Sequence, residues 1–282
     1  MNSKKCVLIT GASSGIGKAC ALYLDEMGYK VFAGVRKQVD ADNLKKEASG
    51  NLEAVILDVT NSQSIKDTAN YICEHTNGNL YGLVNNAGIG RGGALEVTPM
   101  DEIRKLMEVN LLGLLEVTQT FIPLLRKNRG RIINIGSTSG YLAFPGASAY
   151  SASKFAVKAV TDSLRLELIP FGIKVILVSP GAVESAIWEK VRKYKEEMRK
   201  SVNPEIADLY SPLRKFGDRL NEQVKKTPAI EVAKVIHTTL NNQKSKPYYI
   251  VGKDAKGAAK AARLPKRILD WIIIKRIGKL GK

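Results

Sequence analysis

Tyr150 and Lys154 stand four residues apart in a stretch with helical spacing, so their side chains share one helix face. A phenol beside an ammonium is a proton-transfer pair. A free phenol titrates near ~10, and bringing it to ~7 takes roughly 4 kcal/mol. One ammonium about 4 Å away supplies on the order of 4 kcal/mol at an effective dielectric of ~20. The spacing therefore predicts Tyr150 as a general acid or base whose pKa Lys154 lowers. Tyr-x-x-x-Lys also occurs at Tyr249 and Lys253, in what reads as an edge strand and its exit. Requiring a serine thirteen residues before the tyrosine leaves one set: Ser137, Tyr150 and Lys154. Ser137 then becomes an oxyanion-type donor, with Ser139 the competing hydroxyl in the same loop. Such a trio suits hydride transfer to a carbonyl, which builds charge on oxygen and then needs a proton.

A second constellation, Thr10-Gly11-Ala12-Ser13-Ser14-Gly15-Ile16-Gly17, begins where an apolar strand ends and runs into a helix. Gly11 permits a tight turn, Gly15 lets backbone approach a pyrophosphate, and Gly17 allows close helix packing. The helix N-terminus, with Ser13, Ser14 and Ile16, offers N–H donors and positive dipole to phosphate. Gly88-Ile89-Gly90-Arg91-Gly92-Gly93 fits the same glycine pattern, but far from any opening strand–helix unit, and reads as an active-site loop. A dinucleotide with a free ribose 2′-hydroxyl calls for Asp or Glu at the end of the second strand. Here Val35-Arg36-Lys37 stands there, and no carboxylate appears before Asp40. Arg36 and Lys37 suit a 2′-phosphate, which points to NADP(H).

The elements that position these groups follow from periodicity. Strands are expected at 6–10, 30–35, 53–57, 80–84, 131–136, 174–179 and 248–251, with runs such as Val7-Leu8-Ile9 and Val175-Ile176-Leu177-Val178 continuously apolar, as parallel strands covered on both faces are. Helical spacing fills 15–27, 40–48, 62–75, 100–127, 150–169 and 229–241. Alternation of this kind predicts a single α/β domain over residues 1–252, a doubly wound parallel sheet of about seven strands. A charged insertion at 183–227 has breaks at Asn203-Pro204 and Ser211-Pro212, suited to a mobile lid over substrate.

At 282 residues, 44% apolar and 25% charged, the chain reads as an ordinary globular protein. No apolar run approaches a membrane span, and the short one after Lys4 and Lys5 is no signal peptide. Three scattered cysteines and two histidines, His75 and His237, argue against disulfide scaffolds and metal sites and fit a cytoplasmic location. The net charge of +17 is concentrated: residues 253–282 carry ten Lys/Arg and two Asp. Charge alone does not make a nucleic-acid binder, because aromatic residues are 6% and no stacking platform is evident.

Together these residues resemble the short-chain dehydrogenases/reductases over about residues 4–251. The resemblance rests on the 10–17 motif, Asp58-Val59, Asn85-Asn86-Ala87-Gly88, Asn110 in Val109-Asn110-Leu111-Leu112-Gly113, Ser137, Tyr150-Ser151-Ala152-Ser153-Lys154 and Pro180-Gly181-Ala182-Val183. It implies a Rossmann fold and an oxidoreductase, nearest the steroid and retinol dehydrogenase-like branch. By the resemblance Asp58 and Val59 flank the adenine, Asn85, Ala87 and Gly88 support the adenosine side, and Pro180, Gly181 and Val183 contact the nicotinamide. Asn110 would hold a water in a proton relay, and Lys154 would also bond the nicotinamide ribose. Where the family often has Thr, two residues beyond Val183, this chain has Ser185, which keeps the hydroxyl. The resemblance also implies a homo-oligomer, dimer or tetramer.

Candidate substrate residues are Tyr141, Leu142, Phe144 and Trp188 with Ser137, flanked by Ile89 and Tyr194. They are mostly apolar, which favours a lipophilic ketone, aldehyde or alcohol. The basic tail from Leu264 to Ile277, with Trp271, suits a membrane surface, but Arg276 falls between Leu269 and Ile272 on a helical wheel. Packing over the substrate mouth or on another subunit explains its apolar residues equally well. A cofactor-sensing protein on the same fold is the alternative function, although a sensor has no need of a proton relay.

Overall fold

A computed structural model of the protein describes residues 4–185 and 187–278. Seven strands form one sheet: β1 (Cys6–Ile9), β2 (Lys30–Val35), β3 (Leu52–Ile56), β4 (Gly82–Asn85), β5 (Arg131–Ile135), β6 (Lys174–Pro180) and β7 (Tyr248–Val251). Their order is β3-β2-β1-β4-β5-β6-β7, and every pairing is parallel. This is the doubly wound sheet that the apolar runs call for, with strand ends moved by up to two residues.

Strand alternation divides the core. Val7, Ile9, Val31 and Ala33 pack one face against Cys20 and Leu24 of α1 (Gly15–Glu26), with Leu44 of α2 (Gln38–Glu47) in the same cluster. Leu8, Phe32 and Leu83 pack the other face with Ile65 and Ile72 of α3 (Ser62–Thr76). A period of two puts successive residues on opposite faces, so a strand covered on both sides must be apolar throughout.

The stretch expected as one helix over 100–127 is two, α4 (Met100–Met107) and α5 (Gly113–Lys127), joined by a π-helical turn at Glu108–Leu112. Such a turn inserts an extra residue and re-aims side chains, and here it turns Asn110 inward, where it is 1% exposed. Gly113 is needed beside it, since a Cβ there would lie 2.6 Å from the Val59 carbonyl oxygen. Helix α6 (Ser148–Glu167) packs on β6 and is tied to β5 by the Asn134–Thr161 hydrogen bond.

The charged insertion is helical: α7 (Ile187–Ser201), α8 (Pro204–Leu209) and α9 (Ser211–Gln223). Asn203 caps α8 by accepting from the Glu205 amide at 2.9 Å. Its two ends are joined, because Val183 bridges to Thr227 in parallel. After α10 (Ala229–Asn241) and β7 come α11 (Lys253–Ala261) and α12 (Lys266–Gly278), separated at Pro265. No helix among the described residues is long and apolar enough to cross a membrane.

Candidate active site

The strand-end residues singled out in the sequence follow the carboxyl ends of parallel strands, beside the neighbours β1 and β4, from which the chain runs on to opposite halves of the sheet. Crevices of such sheets form at that switch point. Gly11 and Gly15 have φ of +68° and +57°, a region open mainly to glycine. A Cβ on Gly17 would meet the Gly11 carbonyl oxygen at 2.3 Å and Asn86 Nδ2 at 2.4 Å. Ser14, the N-cap of α1, makes no side-chain cap, and the first turn holds no acid. The amide donors and dipole at this helix start thus have neither a Ser14 cap nor a first-turn acid, and the glycine cradle fits a pyrophosphate.

Asn86 does more here than the sequence revealed. Its Nδ2 donates to the carbonyls of Thr10 and Gly11, at 2.9 and 3.0 Å. Thr10 Oγ1 accepts from the amides of Asn86 and Ala87, which locks the end of β4 to the glycine loop. Asn85 points elsewhere: its Nδ2 donates to Thr118 at 2.8 Å and to Asn134 at 2.9 Å, inside the core. Its side chain thus braces β4 and does not reach toward the adenosine side. The alternation along a strand sends neighbours to opposite faces, so only one of the two asparagines reaches the loop.

At the end of β2, Arg36 and Lys37 are both exposed. The Ala12 amide donates to the Gly34 carbonyl at 2.9 Å, which holds this strand end against the glycine loop. Asp58 begins the turn after β3 and accepts from Thr60 N and Oγ1, while Val59 is buried beneath it.

Tyr150 lies in the first turn of α6 and Lys154 one turn on. Gly140 lets the 137–140 loop lie against that helix, since a Cβ there would be 2.8 Å from the Lys154 carbonyl oxygen. Ser137 Oγ accepts from the Ser139 backbone amide at 3.1 Å, which orients the Ser137 side chain. Lys154 Nζ donates to the Ile135 carbonyl at 3.0 Å and lies 6.0 Å from the centre of the Tyr150 ring. Asn110 is fully engaged: it accepts from the Ile89 amide at 2.8 Å, donates to the Ile89 carbonyl at 3.0 Å, and donates to Ser153 at 3.3 Å. Ser153 Oγ in turn donates to the Tyr150 carbonyl at 2.7 Å. The side chain of Asn110 therefore ties the Gly88–Ile89 loop to the start of α6, and Ser153 is the link that sequence reading left out.

The electrostatics differ from the simple pair expected. Burial pushes the Tyr150 phenol above its ordinary value, with the Ser137 hydroxyl pulling it back. Burial also lowers Lys154 from 10.5 to about 8. The amine is held on the Ile135 carbonyl, and desolvation is the main influence on both groups. A protonated phenol is the form that donates to the oxygen of a carbonyl substrate as it is reduced.

The Lys154 shift has a stability consequence. Its folded pKa lies below the unfolded one, so the unfolded state binds more protons between about 8 and 10.5. Wild-type stability relative to Lys154→Met should rise by roughly 3 kcal/mol across that window and be level below it. Urea midpoints of both proteins from pH 7 to pH 11 measure this, and a flat difference would mean Lys154 is not desolvated.

Around the catalytic face, Leu142 is buried, and Phe144 and Trp188 are half-buried. Trp188 commits its indole N–H to the Val183 carbonyl at 2.7 Å, and Lys226 lies over its ring. Tyr141 is half-buried, packed against the cluster of Leu114, Val157 and Leu177. Tyr194 seats α7 on the 88–93 loop, its ring 4.5 Å from the Arg91 guanidinium, which also pairs with Glu102 at 2.6 Å. Tyr210, before α9, donates to Glu96 at 2.6 Å. Two tyrosines thus bring the insertion down onto the segment after β4.

Asp254 escaped the sequence analysis. It opens α11, and its Oδ2 accepts from the Ala182 amide at 2.7 Å, while Oδ1 is buried without a hydrogen-bond partner. A Cβ on Gly181 would lie 2.0 Å from Oδ2. Gly181→Ala should therefore cost about 2 kcal/mol, and less in an Asp254→Ala background. Urea denaturation of the two single variants and the double variant decides it: equal cost in both backgrounds would exonerate Asp254.

Comparison with known proteins agrees with this geometry. The family model described as short chain dehydrogenase matches residues 5–196. The chain is 40% identical to 17-beta-hydroxysteroid dehydrogenase type 6 of Bos taurus, covering 78% of this chain and 70% of that one. It is 37% identical to 3-amino-tetrahydro-pyrrolizinone reductase of Xenorhabdus hominickii, over 93% and 92% of the two chains. A crystal structure of a short-chain dehydrogenase from Streptomyces avermitilis superposes with a TM-score of 0.78 at 30% identity, covering 98% of each chain. One from Burkholderia cenocepacia, in complex with NADP, gives 0.72 at 26% identity over 96% and 97%. Sequence, sheet order and crevice converge, and the chain belongs to the short-chain dehydrogenase/reductase family, oxidoreductases of alcohol and carbonyl groups.

Proposed function

We propose that this protein is an NADP(H)-dependent oxidoreductase that interconverts a lipophilic ketone or aldehyde and its alcohol. The observation that carries the reading is the meeting of Ser137, Tyr150 and Lys154 between the end of β5 and the start of α6. When bound, the dinucleotide supplies or takes the hydride. Ser137 donates to the substrate oxygen, and Tyr150 passes its phenolic proton to that oxygen during reduction. Lys154 faces the phenolate that forms and bonds the nicotinamide ribose. Asn110 anchors the loop facing α6, and with its side chain committed there the relay water is left to its backbone. Gly11 to Gly17 take the pyrophosphate, Asp58 and Val59 the adenine, and Pro180 to Val183 the nicotinamide. Arg36 and Lys37 meet the 2′-phosphate, a reading supported by the NADP held by the Burkholderia relative.

Residues 1–252 form the catalytic unit in this reading, 183–227 cover the substrate, and 253–282 are an extension. Relatives named for a hydroxysteroid and for retinol support a lipophilic substrate. Exposed Leu112 and Leu115 near the start of α5 and Phe155 on α6 suit the contact of a dimer or tetramer. The test is NADPH oxidation against steroid, retinoid, fatty and small carbonyls. Turnover on a lipophilic member, at least tenfold above the Tyr150→Phe background, is expected. Tight NADPH binding with no turnover on any class would favour the sensing protein instead.

A further inference from the structure

Helix α12 explains why the tail defeats a helical wheel. It packs on α9, with Leu269 buried and Ile272, Ile273 and Ile277 half-buried. Its other side also carries large apolar residues, and these face solvent: Ile268 is 48%, Trp271 60% and Ile274 67% exposed, continuing a line from Leu264. Residues three and four apart on a helix are neighbours, so Ile268, Trp271 and Lys275 form one row and Arg267, Trp271 and Ile274 another. Lys275 Nζ lies 4.7 Å from the centre of the Trp271 ring. The apolar stripe is thus interleaved with exposed cations, inside a tail with ten Lys/Arg and two Asp.

We propose that this outer face of α12 docks the protein on an anionic lipid surface. Three features select that occupant. Tryptophan with aliphatic neighbours, ringed by Lys and Arg, is the pattern of a helix lying in a membrane interface. Anionic headgroups complement the charge, whereas a second copy would bring two strongly cationic tails together. The stripe is also short, four exposed apolar residues from Leu264 to Ile274 against the roughly 20–30 residues a side of a stable protein interface, while shallow lipid insertion needs no such extent. Since α12 rests on α9 of the insertion, docking sets the segment that covers the crevice beside the bilayer. The docking itself does not depend on the reaction assigned above.

Co-sedimentation of the full chain with vesicles tests this. Vesicles of phosphatidylcholine with about a third phosphatidylserine should bind the protein at low salt, and pure phosphatidylcholine at least tenfold less. Binding should weaken as ionic strength rises. Arg267→Gln with Lys275→Gln removes two cations, each worth about fivefold near such a surface, so affinity should fall roughly 25-fold. Trp271→Ser with Ile274→Ser should lower it at least tenfold while circular dichroism and Tm stay close to wild type. No binding to anionic vesicles, equal binding to neutral ones, or a dimer in analytical ultracentrifugation that Trp271→Ser dissolves would each overturn the proposal.

Discussion

Tyr150→Phe should lower kcat by about 10²- to 10⁴-fold, the range of a lost general acid, while NADP(H) affinity stays within about twofold. The ring remains to pack at the start of α6, and Lys154 keeps its bond to the Ile135 carbonyl, so only the proton donor leaves. Burial holds the phenol above its ordinary pKa, which keeps it protonated and ready to donate through neutral pH. Reduction rates should consequently hold level through neutral pH and fall as Lys154 loses its proton at about 8 and the phenol ionises at higher pH. Single-turnover NADPH oxidation measures the chemical step, and quenching of protein fluorescence measures the cofactor. A variant with a tenth or more of wild-type kcat would remove Tyr150 from the role.

Arg36→Ala should weaken NADPH by roughly 10- to 100-fold and leave NADH nearly unchanged. A 2′-phosphate carries almost two negative charges, and a guanidinium meets two of its oxygens at once. Charge-assisted hydrogen bonds contribute about 1.5–3 kcal/mol each, which sets that range. Arg36 is exposed at the end of β2, and the only acid of the first turn of α2 is Asp40, beyond the strand end. Val35→Asp should shift preference toward NADH through repulsion of the phosphate and a new acceptor for the ribose. The measurement is kcat/KM with both cofactors at matched concentrations. If the wild type prefers NADH, or Arg36→Ala weakens both equally, the cofactor assignment is wrong and the oxidoreductase assignment is untouched.

What was legible in the sequence was whatever depends on local spacing. The apolar runs of the strands and the helices between them are dictated within about ten residues of chain, and the strand ends shifted by no more than two. The glycine loop was legible because positive φ and close approach demand glycine. Ser137, Tyr150 and Lys154 were legible because two share a helix face and the third lies at a fixed remove in the chain.

Tertiary structure decided the rest, because those choices depend on residues far apart in the chain. Which of Asn85 and Asn86 clamps the glycine loop depends on which face of β4 meets Thr10, seventy-odd residues earlier. Asn110 became an anchor only through a π-helical turn, which helical periodicity does not encode. Asp254 reaches Ala182 across the β6–β7 edge, and no local signal marks it. Helix α12 has apolar residues on two sides, and a wheel averages them into no pattern. Only packing against α9 separates the side that is covered from the side left facing solvent.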